Sequence, residues 1–149
     1  MPAFTGRDVL IEFAIGDETA LLASLTFKRL GMMRGKGINV NWDTVDTTAD
    51  QSPSFTKTSL VTFKAVEFSG DGVAYTDAIF NQAELKAHIY SPGASTGNQP
   101  KAWIRQTAPD GVTVGPFIFS SWESASPFAD AVTWSTSAMS NGDVTFTPA

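Results

Sequence analysis

The chain has 149 residues, is 42% hydrophobic and 17% charged, carries a formal net charge of −5, and contains no cysteine. This is the length of one domain with its own core, globular rather than disordered. It excludes disulfides, thiolate metal sites and cysteine nucleophiles, and its acidity excludes a protein that holds DNA by neutralising phosphates.

In chain order, residues 1–7 read as a short N-terminal arm with Pro2 and Gly6, not expected to be fixed by itself. From Asp8 to Ile15, the apolar Val9, Ile11, Phe13 and Ile15 alternate with Leu10, Glu12 and Ala14, which predicts a strand. Gly16-Asp17-Glu18-Thr19 then reads as a hairpin-like connection into a second strand over Leu22 to Leu30. Gly31 to Gly37, with three glycines and two basic residues, reads as a loop. Ile38 to Asp46 alternates Ile38, Val40 and Trp42 against Asn39, Asn41 and Asp43, so it predicts a strand with a polar face. Residues 47–57 lack periodicity and predict a long loop, a length that in compact domains usually has a use. Thr58 to Ser69 predicts a long strand, apolar on both faces and therefore central, ending in a turn at Asp71-Gly72.

Tyr75 to Ile89 is the one helix expected, with Thr76 as N-cap, Asp77 in its first turn, and Ile79, Phe80, Ala83 and Ala87 at helical spacing. Pro92-Gly93 ends it. Lys101 to Gln106 and Val112 to Ser124 predict strands joined by the turn Pro109-Asp110-Gly111, with Pro116 placed at a bulge or sheet edge. Ser126-Pro127 breaks the second of these. Ala131 to Met139 predicts a strand with Val132, Trp134 and Ala138 on one face and Thr133, Ser135 and Ser137 on the other. Asn141-Gly142 is the strongest hairpin signal, leading into Val144 to Thr147, where Thr145 and Thr147 share the polar face. The fold class is therefore mainly β: an antiparallel sandwich or barrel of about eight strands with one flanking helix, residues 1–149 forming a single domain.

Reactive constellations are missing. His88 stands alone near the end of the helix, with no Gly-x-Ser-x-Gly elbow to serve, so it reads as structural or solvated. Asp43, Asp46 and Asp50 lack the glycine turn and terminal Glu of a calcium loop. Gly31, Gly35 and Gly37 with Arg34 and Lys36 lack the ending of a phosphate loop. Trp42, Trp103, Trp122 and Trp134 could stack sugars, but on alternating strands tryptophans are more often core. No catalytic, metal or cofactor site is expected, and the chain does not read as an enzyme. No apolar run reaches the ~18 residues of a membrane span, so no membrane insertion is expected. The opening lacks a basic-then-apolar secretory pattern, which predicts folding in the cytoplasm.

Several stretches nevertheless carry a likeness. Gly6-Arg7-Asp8-Val9-Leu10, Val45-Asp46-Thr47-Thr48-Ala49-Asp50, Gly115-Pro116-Phe117, Ser120-Ser121-Trp122-Glu123, Asp130 to Ser135 and Asn141 to Phe146, in this order over nearly the whole chain, resemble the major tail tube proteins of long, non-contractile-tailed bacteriophages. The basic stretch Gly31 to Gly37 matches no feature of that family.

The resemblance implies a structural virion protein, assembled in the bacterial host cytoplasm, that forms rings of six stacked into a tube, with the fold shared by contractile tails and type VI secretion tubes. It implies a tape measure protein in the bore, tail terminator and distal tail proteins as partners, and DNA passing without specific binding. A bore for DNA should not hold it, and six copies would carry 6 × −5 = −30 per ring. The candidate lumen face is Asn39, Asn41, Asp43, Thr133, Ser135, Ser137, Thr145 and Thr147. The candidate contacts between subunits or rings are Arg7, Arg34, Lys36, Asp50, Ser52, Pro53, Phe55 and Lys57. The rival reading is a carbohydrate-binding β-sandwich module on a virion or cell surface, using the tryptophans.

Overall fold

The computed structural model describes residues 3–50 and 53–149. Eight strands form one antiparallel sheet: β1 (Leu10–Ile15), β2 (Lys28–Arg29), β3 (Met33–Asp46), β4 (Ser59–Val73), β5 (Lys101–Ala108), β6 (Gly111–Ala125), β7 (Thr133–Ser140) and β8 (Thr145–Pro148). Their order across the sheet is β2-β1-β5-β6-β7-β4-β3, and β8 pairs with β6. One helix, α1 (Gln82–Tyr90), packs on it. Mainly antiparallel β with a single helix is the class read from the sequence.

The sheet curls so that the start of β3 comes up to the segment before β1. At the start of β3, the Lys36 ammonium donates to the carbonyls of Gly6 and Val9, just before β1. The concave side is filled by one apolar cluster drawn from both ends of the sheet: Ile11 and Phe13 of β1, Val66 and Phe68 of β4, Phe117 and Phe119 of β6, Trp134 of β7 and Leu85 of α1. Period-2 alternation delivers these side chains to one face.

Several local expectations are corrected by tertiary contacts. Leu22 to Leu30 is not a strand: Leu22–Ser24 is a 3-10 turn and only Lys28–Arg29 pairs, against Phe13 and Glu12. The chain after Gly16 therefore makes an excursion over the far side of the sheet instead of a tight hairpin. There the Trp103 indole donates to Asp17 O, and the Arg105 guanidinium lies 4.2 Å over the Phe27 ring while pairing with Glu12. Gly31 to Gly37 is not a loop, since β3 begins at Met33, nor is Asp71-Gly72 a turn, since both lie inside β4. The two errors explain each other. Gly35 pairs with Asp71, and a Cβ on Gly35 would fall 2.1 Å from Asp71 Oδ1, so the glycine makes room for its cross-strand neighbour.

The helix starts later than its apolar spacing suggests. Asp77, not Thr76, caps the 3-10 turn Ala78–Phe80, accepting from Ile79 N, and Asn81 turns left-handed (φ 55°) before Gln82 opens α1. The buried face is Gln82, Leu85 and His88, while Ala83 and Ala87 face outward. Gln82 is buried because its amide closes three backbone groups, donating to Gly31 O and Val73 O and accepting from Tyr75 N. His88 is structural, its ring nitrogen 2.8 Å from Lys101 O.

Asn141-Gly142 is not a hairpin turn either. β8 leaves β7 and pairs with the first half of β6, Thr147 opposite Val112 and Thr145 opposite Val114. β7 pairs with the second half, Phe117 to Ala125. Pro116 sits in the gap between them, where its carbonyl accepts from Asn141 N and its missing N–H breaks no ladder.

Candidate functional site

Two surfaces have properties that the core does not require. The first is the outward face of β3, β4, β7 and β6. Backbone register sets it in rows. Gly35, Asp71, Ser135 and Glu123 form one row; Gly37, Ser69, Ser137 and Ser121 the next; Asn39, Glu67, Met139 and Ile118 a third. Residues directly opposite in an antiparallel pair share a face. Small hydroxyls dominate it, and they bond to one another: Ser137 Oγ lies 2.7 Å from Ser121 Oγ and 3.1 Å from Ser120 Oγ. Ser120 reaches it from a bulge between Phe119 and Ser121.

Charge on this face is mainly acidic, with Arg34 beside Asp71 and Glu123 at one end. Glu67, Asp71 and Glu123 are exposed. The lysines of the same strands turn the other way: Lys36 to the carbonyls before β1, and Lys64 to Asp143 and to Val144 O. Burial, with Arg29 nearby, pulls the Lys36 ammonium below its usual range. Arg34, in a second bulge between Met33 and Gly35, borders the face at the start of β3.

The structure thus brings Asn39, Thr133, Ser135 and Ser137 onto one face, with Asn41 following Asn39 along β3. Asp43 continues the same alternation along β3, opposite a bulge in β4 at Thr62 and Phe63. The others are set apart. Thr145 and Thr147 are exposed on β8, at the opposite end of β6 from the serine rows. The three carboxylates were missed by sequence reasoning, since nothing local to Glu67, Asp71 or Glu123 says that they sit in neighbouring rows.

The second surface is the distal half of the β3–β4 hairpin. Beyond Asn41 and Ala65 the two strands pair only with each other. Trp42, Val45, Leu60, Val61 and Phe63 are all exposed there, Phe63 at 76%. The described residues between 47 and 57 lie at the tip, pinned at its base by Thr47 N to Thr58 O (2.9 Å) and by the Thr47 and Thr58 hydroxyls, 2.8 Å apart. Phe55 stands 99% exposed, beside the exposed Pro53 and Lys57; Asp50 is also exposed, and Ser52 lies outside the described residues. Apolar exposure on this scale marks a protein contact.

The backbone edges are also open. Among the described residues, β3 has a strand on one side only, and β6 beyond Phe119 has β7 on one side and no strand on the other. Such edges pair readily with another chain.

The tryptophans do not converge on a platform. Trp134 is buried, Trp122 stacks on it with ring centroids 5.0 Å apart, Trp103 is tied to Asp17, and Trp42 projects on the hairpin.

Comparison with known proteins agrees with this arrangement. No curated protein matches the chain. The fold is similar to a tail subunit of an empty gene transfer agent particle refined with C6 symmetry, at 24% identity, covering 97% of this chain and 99% of the other with a TM-score of 0.72. It is similar to the SPP1 tail tube protein at 15% identity, covering 99% and 80%, with a TM-score of 0.63. A chain of the anti-feeding prophage baseplate is 7% identical, covering 99% and 96%, with a TM-score of 0.66. The family described as phage tail tube protein matches residues 3–146, and the chain belongs to that family: it is a structural tail tube protein.

Proposed function

We propose that six copies close into a ring through their open sheet edges, that rings stack into the tail tube, and that the acidic hydroxyl face lines the bore through which DNA is ejected. The observation that carries this reading is the pairing of two open edges with a face whose lysines all turn away. The four strands β6, β7, β4 and β3 alternate in direction. An even number per copy means that β3 of one copy meets β6 of the next antiparallel at every joint. Six copies give 6 × 4 = 24 strands. At a strand spacing of ~4.8 Å such a barrel is about 37 Å across its backbone if untilted, and about 48 Å at a tilt of ~40°. A duplex fits inside.

Three carboxylates per copy give 3 × 6 = 18 per ring, facing a polyanion that carries one charge per ~1.7 Å of axis. The lysines of these strands turn away from this lining and Arg34 stands beside Asp71 and Glu123, so acidic groups dominate it and the duplex slides. The projecting hairpin, with Phe55, Pro53 and Lys57 at its tip, reaches a neighbouring copy or the next ring, and its apolar side chains are buried there. A tape measure protein occupies the bore before ejection, terminator and distal tail proteins cap the two ends, and assembly takes place in the host cytoplasm.

Electron microscopy of the concentrated protein tests this: hollow tubes are expected, and a chain that stays monomeric at every concentration overturns it. The bore assignment is tested separately. Glu67→Lys, Asp71→Lys and Glu123→Lys together should leave tubes intact and slow DNA ejection, and unchanged ejection removes this face from the bore.

A further inference from the structure

Four of the ten cationic residues border one cleft. It has a volume of about 430 Å³ and lies where the start of β3 meets the start of β1. Arg7, Arg29, Arg34 and Lys36 surround it, with Leu10 and Met32 exposed on its floor. Lys36 is already engaged by two backbone carbonyls. Among the described residues the three arginines have no carboxylate within ion-pair distance, whereas Lys28, Lys64, Lys101 and Arg105 each have one. Asp8, also at the rim, turns its carboxylate to Thr5 N and Oγ1. An acidic protein thus keeps its unpaired arginines together around an apolar floor, a site shaped for a segment with one carboxylate and one apolar side chain.

The occupant follows from strand direction. We infer that the cleft receives the β6–β7 connection, residues 126–132, of the adjacent copy in the ring, an inference that rests on the edge-to-edge closure proposed above. Antiparallel pairing of β3 with the neighbour's β6 brings the end of that β6, at Ala125, to the same end of the joint as the start of β3, at Met33. The connection that follows then runs past the start of β3, toward the arginines. It carries one carboxylate, Asp130, no cation, and Phe128, whose side chain is wholly exposed in the single chain at 107%. Asp130 pairs with the arginine rim and Phe128 covers Leu10 and Met32. The stretch from Gly31 to Gly37 thereby contributes one side of the joint between copies.

The test uses two variants of the full chain. Arg29→Glu with Arg34→Glu reverses the cleft, and Asp130→Arg reverses the connection. Each alone sets like charges at every joint and should lower tube yield at least tenfold, with far-ultraviolet circular dichroism unchanged. Mixed in equal amounts, they can alternate around a six-membered ring, so that every joint is attractive again, and tubes should return to at least half the yield of the unmodified chain. Single variants that assemble normally, or folded variants whose mixture stays unassembled, overturn the inference while leaving the ring reading intact. Failure of the unmodified chain to form rings removes both.

Because the chain has no cysteine, Arg34→Cys with Asp130→Cys gives a clean cross-link. An oxidised ladder that stops at six chains is expected. A ladder running past six assigns the connection to stacking between rings and overturns the in-ring joint, as does the absence of any cross-link.

Discussion

The two halves of β4 obey the same alternation and meet opposite fates. From Val66 to Val73 it lies between β3 and β7, and Phe68 is 1% exposed. From Ser59 to Lys64 it has β3 alone for company, and Phe63 stands in solvent. A two-stranded ribbon is marginal in water, so the distal hairpin draws its order from the strands that continue into the core. The contrast separates residues that hold the subunit together from residues held in reserve for another copy. Both kinds are apolar; what differs is whether a third strand and a helix lie over them.

Breaking the core half should have the largest effect. Phe68→Ala removes a wholly buried ring that meets Phe117 edge-on at 6.4 Å, and should lower subunit stability by about 3–5 kcal/mol in chemical denaturation. Gln82→Leu keeps an apolar bulk but strands Gly31 O and Tyr75 N, while Val73 O keeps the Trp134 indole N–H. At about 1–3 kcal/mol for a buried group left unpaired, a loss of about 3 kcal/mol is expected in the same assay.

The hairpin half should respond the other way. Phe63→Ala with Phe55→Ala should change subunit stability by less than about 0.5 kcal/mol, yet abolish tubes in the electron microscope. A large loss of stability here would mean that these rings already pack within the single chain.

The smallest effect concerns pH. Asp17, in the excursion after β1, has its carboxyl held below the usual range chiefly by the Thr19 hydroxyl; Asp46, at the hairpin end, is held there by the Thr48 hydroxyl and N–H. A carboxyl whose pKa is lower folded than unfolded contributes stability above its unfolded value and loses it as pH falls through the folded one. Thermal midpoints should therefore be flat from neutral pH down to about 5 and decline below about 4. Asp17→Asn with Asp46→Asn should flatten that decline slightly, and an unchanged acid limb would show that neither group matters.

Strand count, the polar alternation of Asn39 and Asn41, the serines of β7 and the long tip of residues 47–57 were legible from period and turn chemistry alone. The errors cluster where a residue's partner is distant in sequence. Gly31 to Gly37 and Asp71-Gly72 carry turn residues, yet they are cross-strand neighbours whose glycine answers an aspartate. Leu22 to Leu30 alternates well, yet most of it lies across another face of the sheet. Asn141-Gly142 has hairpin chemistry, yet the next strand finds a vacant stretch of β6 instead of β7. The carboxylates Glu67, Asp71 and Glu123 became one surface only through register.

By itself the sequence determined the β class, the single helix, the absence of cysteine and the acidic, hydroxyl-rich character of the later strands, because each follows from local periodicity and composition. The tertiary structure decided which strands are neighbours, which glycines lie in strands, which lysines turn inward and which apolar side chains stay bare. Those outcomes depend on pairing between segments far apart in the chain, such as Leu10 of β1 with Thr107 of β5, and no local pattern encodes a register that only closure of the sheet around its core imposes.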